Sequence, residues 1–198
     1  MQKCDTSSGL RAFLTLQKSK GKNIGFVPTM GSLHEGHLSL IRKSKTQNDL
    51  TIVSIYVNPS QFNDKKDFTH YPKNIEQDLM LLKHINCDIV FIPKTEDMYA
   101  GGYRPINIEL KNLDLILELK KRPGHFAGVI FIVHKLFKII LPDRTYFGEK
   151  DYQQLLIIKE LAKIYFKELC VVGCATIRDQ DGLAMSSRNK KLTTKQLN

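Results

Sequence analysis

The sequence predicts an α/β fold, a parallel sheet with helices on both faces. Three observations carry that reading. Hydrophobic periodicity switches repeatedly between short β-branched runs and longer helical patterns. The short runs are nearly continuous in apolar residues, as strands buried on both faces are. The chemically unusual residues fall directly after those runs, where open parallel sheets place their ligands.

The elements follow in order. Ser7 or Ser8 is positioned to cap a first helix carrying Leu10, Phe13, Leu14 and Leu16, which Gly21 ends. IGFV, residues 24 to 27, is the first strand. Residues 37 to 47 hold Leu38, Ile41 and Lys45 at helical spacing, and TIVSIYV, 51 to 57, is a strand stopped by Asn58 and Pro59. Ile75, Leu79, Leu82 and Ile85 share one helix face ahead of the strand DIVFI, 88 to 92. A less regular middle, 94 to 123, precedes a strongly periodic helix with Phe126, Val129, Ile130, Val133, Leu136, Phe137 and Ile140, ended by Pro142. RTYF, 144 to 147, is a short strand, Tyr152 to Phe166 a helix, and LCVVGC, 169 to 174, the last strand. With right-handed crossovers between parallel strands, the fold is Rossmann-like.

Composition bounds the function. The 198 residues, 42% hydrophobic and 25% charged, suffice for one sizeable core and exclude disorder. No apolar run approaches the roughly 18 residues of a membrane helix, and MQKCDTSSGL lacks the apolar core of a signal peptide. A cytoplasmic protein without a membrane partner is the expectation. Thirty Lys+Arg against 20 Asp+Glu give +10, which favours phosphates, nucleotides or nucleic acid. The excess lies in short groups (Lys18, Lys20, Lys22; Arg42, Lys43, Lys45; Lys120, Lys121, Arg122; Lys190, Lys191), the pattern of solvated helix faces. Cys4, Cys87, Cys170 and Cys174 lack CxxC pairing and read as ordinary buried thiols, with no metal expected on the protein itself.

The loops supply the chemistry. PTMGSLHEGH, 28 to 37, has neither GxGxxG nor the P-loop pattern, and its histidines stand three apart instead of the four that HExxH requires. His34 and His37 instead sit on the first turn of a helix, beside free N–H groups and the positive end of the dipole. That combination suits a polyphosphate, with Gly36 allowing close approach and Gly31 a sharp turn. In NPSQFN, 58 to 63, Gln61 offers an amide to a carboxylate or hydroxyl. In FGEKDYQQ, 147 to 154, Lys150 faces the same cleft, Gln154 lies one turn inward, and Asp151 also reads as a plain helix cap. DGLAMSSRN, 181 to 189, groups Ser186, Ser187 and Arg188 as phosphate ligands behind Gly182, with a capped helix start as the alternative. RPGHF, 122 to 126, places Arg122 and His125 at a Pro-Gly turn, equally compatible with a solvated cation.

PTMGSLHEGHLSLI, VSIYVNPSQFN, YPKNIEQDL, RPGHFAGV, FGEKDYQQL and DGLAMSSRN, in this order and spacing, closely resemble the pantothenate synthetase (pantoate:β-alanine ligase) family across nearly the whole chain. The resemblance implies an HxGH nucleotidyltransferase-superfamily fold and a two-step reaction toward a coenzyme A precursor. ATP and pantoate give pantoyl adenylate and pyrophosphate; β-alanine then gives pantothenate and AMP, with Mg²⁺ required. It also implies a homodimer. By the same resemblance the ATP site comprises Met30, Gly31, Ser32, Leu33, His34, Glu35, Gly36 and His37, then Gly148, Glu149, Lys150 and Asp151, then Ile177, Met185, Ser186, Ser187 and Arg188. Gln61 and Gln154 hold pantoate, with Gln61 close to β-alanine.

In that scheme His34, His37, Lys150, Ser186, Ser187 and Arg188 stabilise developing phosphate charge, and His37 is cast as a proton donor. Magnesium rides on the ATP phosphates, with Asp78 or Asp151 reaching it through water. Residues 1–176 are expected to form the domain that binds ATP and pantoate, and 177–198 an MSSR segment leading to a lid domain absent from this sequence. Retained nucleotide binding with weak or absent turnover is the corresponding expectation. Two alternatives compete: an HxGH enzyme with a phosphate acceptor, against which NPSQFN and GEKDYQQ argue, and a basic RNA-binding module, which needs aromatic interleaving that the sequence lacks.

Overall fold

The computed structural model describes residues 1–106, 108, 124–191 and 193; Lys120, Lys121 and Arg122, and the side chains of Lys190 and Lys191, lie outside them. Six strands, β1 (Gln2–Cys4), β2 (Ile24–Thr29), β3 (Leu50–Ile55), β4 (Ile89–Phe91), β5 (Arg144–Gly148) and β6 (Cys170–Cys174), pair in the order β1-β4-β3-β2-β5-β6. Every pairing is parallel. The helices between them are α1 (Ser7–Ser19), α2 (Glu35–Gln47), α3 (Lys65–Thr69), α4 (Ile75–His84), α5 (Thr95–Met98), α6 (His125–Ile140) and α7 (Tyr152–Tyr165).

Alternation along the strands splits the core in two. Ile24, Phe26, Ile52, Ile89, Phe91 and Phe147 pack with Leu10 and Leu14 of α1, most of α6, and Leu155, Ile157, Ile158 and Leu161 of α7. Val27, Val53, Val90 and Tyr146, one residue out of phase, pack with Leu38 and Ile41 of α2 and Leu82 of α4. A period of two sends successive side chains to opposite faces, and with both faces covered most positions in the central strands are apolar.

Several local expectations are corrected. The first helix is capped by Thr6, whose hydroxyl accepts from the Gly9 N–H at 3.3 Å, because Ser7 is already helical and only Thr6 holds the extended backbone of a cap. Helix α2 begins at Glu35, two residues early, because His34 itself is the cap. Strand β1 has no counterpart among the sequence expectations: its three residues pair with β4 yet carry little apolar signal. Of the cysteines only Cys87 is buried; Cys170 opens the sheet's last strand and is exposed, and Cys4 and Cys174 are half-buried.

The strand order has a functional consequence. From β2 the chain moves outward to β3 and β4 on one side, whereas β5 and β6 extend the sheet on the other. The β2/β5 seam is therefore the topological switch point, where flanking loops diverge and leave a crevice. No described helix is long and apolar enough to cross a membrane.

Candidate active site

A single cleft over the carboxyl ends of β2 and β5 is lined by Met30, His34, Gly36 and His37, by Gln61 and Phe62, by Tyr71 and His125, by Gly148, Lys150, Asp151 and Gln154, and by Ile177 and Met185 to Arg188. Chain segments far apart in sequence thus meet at the switch point.

The loop after β2 is held from below. Gly31 (φ 79°) and Ser32 (φ 51°) both turn into the left-handed region, which a non-glycine residue enters at a cost. Asp78, in the first turn of α4 and only 1% exposed, accepts from the Ser32 and Leu33 amides at 2.8 and 2.7 Å. Two charge-assisted bonds to a buried carboxylate offset the strain and fix the loop. Asp78 is thus an anchor beneath the site, its oxygens turned to backbone amides.

The two imidazoles then assemble at the start of α2. His34 Nδ1 accepts from the Gly36 N–H at 3.1 Å, and His37 Nδ1 accepts from the His34 N–H at 3.4 Å. The rings lie 4.1 Å apart at 40°. A Cβ on Gly36 would fall 2.9 Å from His34 Cε1, so glycine there makes room for the ring itself. Since both Nδ1 atoms accept, each neutral ring carries its proton on Nε2. Burial, then His34, then Lys150 push the His37 pKa down to about 3. His37 is therefore a neutral donor at physiological pH, on a helix N-terminus that favours anions.

Gln61 is positioned by a residue that sequence spacing marks only as a strand stop. Asn58, 1% exposed, donates to Gln61 Oε1 at 3.3 Å and to the Gly128 carbonyl at 3.0 Å, and accepts from Tyr99 Oη at 2.6 Å. His125 Nδ1 donates to the Gln61 carbonyl at 2.6 Å. Helix α6 can approach this turn because Gly128 has no Cβ; one would lie 2.4 Å from the Ser60 carbonyl oxygen. Arg122, grouped with His125 in the sequence, is outside the described residues.

On the other side, Lys150 Nζ lies 3.3 Å from Asp151 Oδ1, and Asp151 makes no side-chain cap bond to α7. Its carboxylate goes to the lysine instead of the helix end. The MSSR segment is docked across the cleft. Met185 N–H donates to the Ile177 carbonyl at 2.9 Å, and Ser187 Oγ donates to the Ser32 carbonyl at 3.0 Å.

Met30, His34, Gly36, His37, Gly148, Lys150, Asp151, Ile177, Met185, Ser186, Ser187, Arg188, Gln61 and Gln154 all face one cleft. Gly31, Ser32 and Leu33 are buried under it. Glu35 pairs with Arg42 on the exposed side of α2, and Glu149 lies over Gly173 of β6. Among the described residues, no group of three His, Cys, Asp or Glu side chains is arranged to hold a metal ion.

A parallel sheet whose switch point gathers an HxGH helix start, a lysine and a hydroxyl-guanidinium segment has the architecture of a nucleotidyltransferase-type α/β fold with an anion-binding cleft. The family model described as Pantoate-beta-alanine ligase matches residues 2–198, and the chain belongs to that family. The pantothenate synthetase of Acetivibrio thermocellus is 47% identical over 194 residues, covering 98% of this chain and 68% of that protein. That of Caldicellulosiruptor saccharolyticus is 51% identical over 176 residues, covering 89% of this chain and 62% of the relative. The crystal structure of the Francisella tularensis pantoate-beta-alanine ligase, complexed with beta-gamma ATP and beta-alanine, superposes with a TM-score of 0.91 at 44% identity, covering 98% of this chain and 74% of that one. The chain thus spans 62% to 74% of the length of these three relatives.

Proposed function

We propose that the chain condenses pantoate with β-alanine at the expense of ATP. The pantoate carboxylate attacks the α-phosphorus and pyrophosphate leaves; the β-alanine amine then attacks the acyl carbon and AMP leaves. The observation that carries this reading is the convergence of His34, His37, Lys150 and Ser186 to Arg188 on one cleft that also contains Gln61 and Gln154.

A carboxylate is a weak nucleophile, so alignment with the α-phosphorus supplies much of the acceleration. Fixed donors supply the rest. The Nε2–H of His37, the Lys150 ammonium, and the Ser186, Ser187 and Arg188 donors bind the charge that grows on the α-phosphate and the departing pyrophosphate. Gln61, held by Asn58, and Gln154 grip pantoate, and Val129, Ile132 and Val133 offer an apolar wall to its hydrocarbon part.

Magnesium arrives on the triphosphate. Among the described residues lining the cleft, Asp151 is the one carboxylate, and it shares its charge with Lys150, so the donor set suits a metal carried by phosphate oxygens. A homodimer in the cytoplasm, with residues 1–176 as the substrate-binding unit, completes the proposal.

Pyrophosphate release tests it. With MgATP, release is expected on adding pantoate and not on adding phosphopantetheine. Release driven by phosphopantetheine would overturn the ligase reading in favour of adenylyl transfer to a phosphate.

A further inference from the structure

We propose that Asp67 is a positioning residue for Arg188, and through it for the triphosphate of ATP; this rests on the ATP reading of the cleft. Asp67 belongs to α3, in the stretch that joins the Gln61 turn to α4, and is not among the cleft-lining residues. Its Oδ2 accepts from Arg188 Nη2 at 2.9 Å.

A second contact holds the same guanidinium. Arg188 Cζ lies 5.8 Å from the centre of the Tyr71 ring. Tyr71 is 6% exposed, and its ring packs edge-on to Phe62 at 5.7 Å, while Phe62 packs on Phe68 at 5.4 Å. The platform under Arg188 is therefore rigid, built from the residue next to Gln61 and from α3. Next to Arg188, Ser187 is tied to the Ser32 carbonyl. The arginine is fixed on three sides before any nucleotide binds.

A guanidinium presents five donors in one plane. Asp67 engages Nη2, which leaves the Nε and Nη1 donors for phosphate oxygens. The side chains of Asp67 and Arg188 are 32% and 45% exposed, so solvent screens their attraction and the pair's main consequence is geometric. Holding the plane in advance lowers the ordering cost when phosphate arrives. A competing role, in which Asp67 withholds Arg188 from ATP, has the opposite sign and is separable by experiment.

Calorimetric titration with MgATP provides the test. Asp67→Asn is expected to raise the Kd for ATP about three- to tenfold, with the Kd for pantoate within about twofold of the parent, and Asp67→Glu to recover most of the loss. In an Arg188→Ala background, Asp67→Asn is expected to add nothing. Tighter ATP binding by Asp67→Asn, unchanged binding, or full additivity with Arg188→Ala would each overturn the proposal. Should Asp67→Asn melt early, Tyr71→Leu reads the same platform and is expected to show the same dependence on Arg188. If the unmodified chain binds no ATP, the nucleotide reading falls and this inference with it; if it binds ATP and the variants match it, only the inference falls.

Discussion

His37 combines three local facts, the weightiest first: burial strips water from its ring, the ring abuts a second imidazole, and a lysine stands near. Each disfavours a second proton. A histidine whose folded pKa is about 3 stays neutral while the unfolded chain takes up a proton below its ordinary value of 6.5. Between those limits the unfolded state binds more protons, so this group's contribution falls as pH falls, by at most about 1.4 kcal/mol per pH unit. Thermal melts from pH 7 to pH 4 are expected to show a shallower decline in His37→Gln than in the parent; parallel declines would disprove the assignment. As a donor to phosphate, His37 is also expected to matter for rate. His37→Ala should slow single-turnover pyrophosphate release about 10²- to 10³-fold with little change in melting temperature.

At the scale of elements, the proposed pantoate site rests on how α6 seats the turn that carries Gln61. Gly128→Ala sets a methyl against the Ser60 carbonyl, a backbone atom with nowhere to go. A loss of about 1 to 3 kcal/mol in urea unfolding is expected. Because the displaced turn bears Gln61, pantoate affinity should drop more than ATP affinity; equal losses would count against that coupling. The long, periodic elements were legible from spacing alone, since α6 and the central strands bury most of what they carry. Strand β1 and the Thr6 cap were not, because three residues have no measurable period and a cap is decided by one dihedral pair. In the site, the polar residues that meet in the cleft were legible as strings, whereas the contacts that hold them were silent. Asn58 acts through a carbonyl 70 residues away, and Asp78 through amides 46 and 45 residues away, distances that no local pattern encodes.

For the whole molecule, the strand order decides where binding free energy is delivered. The cleft draws on segments after β2, β3, β5 and β6, so a ligand that touches all of them braces both sides of the switch point at once. A net charge of +10 attracts any polyanion, and only a response tied to the cleft distinguishes ATP from adventitious binding. At a hundred times its Kd, MgATP should stabilise the chain by about 2.7 kcal/mol. For a domain of this length that is about 5 to 10 °C in melting temperature. Pantoate should then add a further shift that His34→Ala and Gln61→Ala reduce separately, the first through the nucleotide and the second through the acid. A shift produced equally by RNA, and abolished by moderate salt, would mean that diffuse charge and not the cleft does the binding.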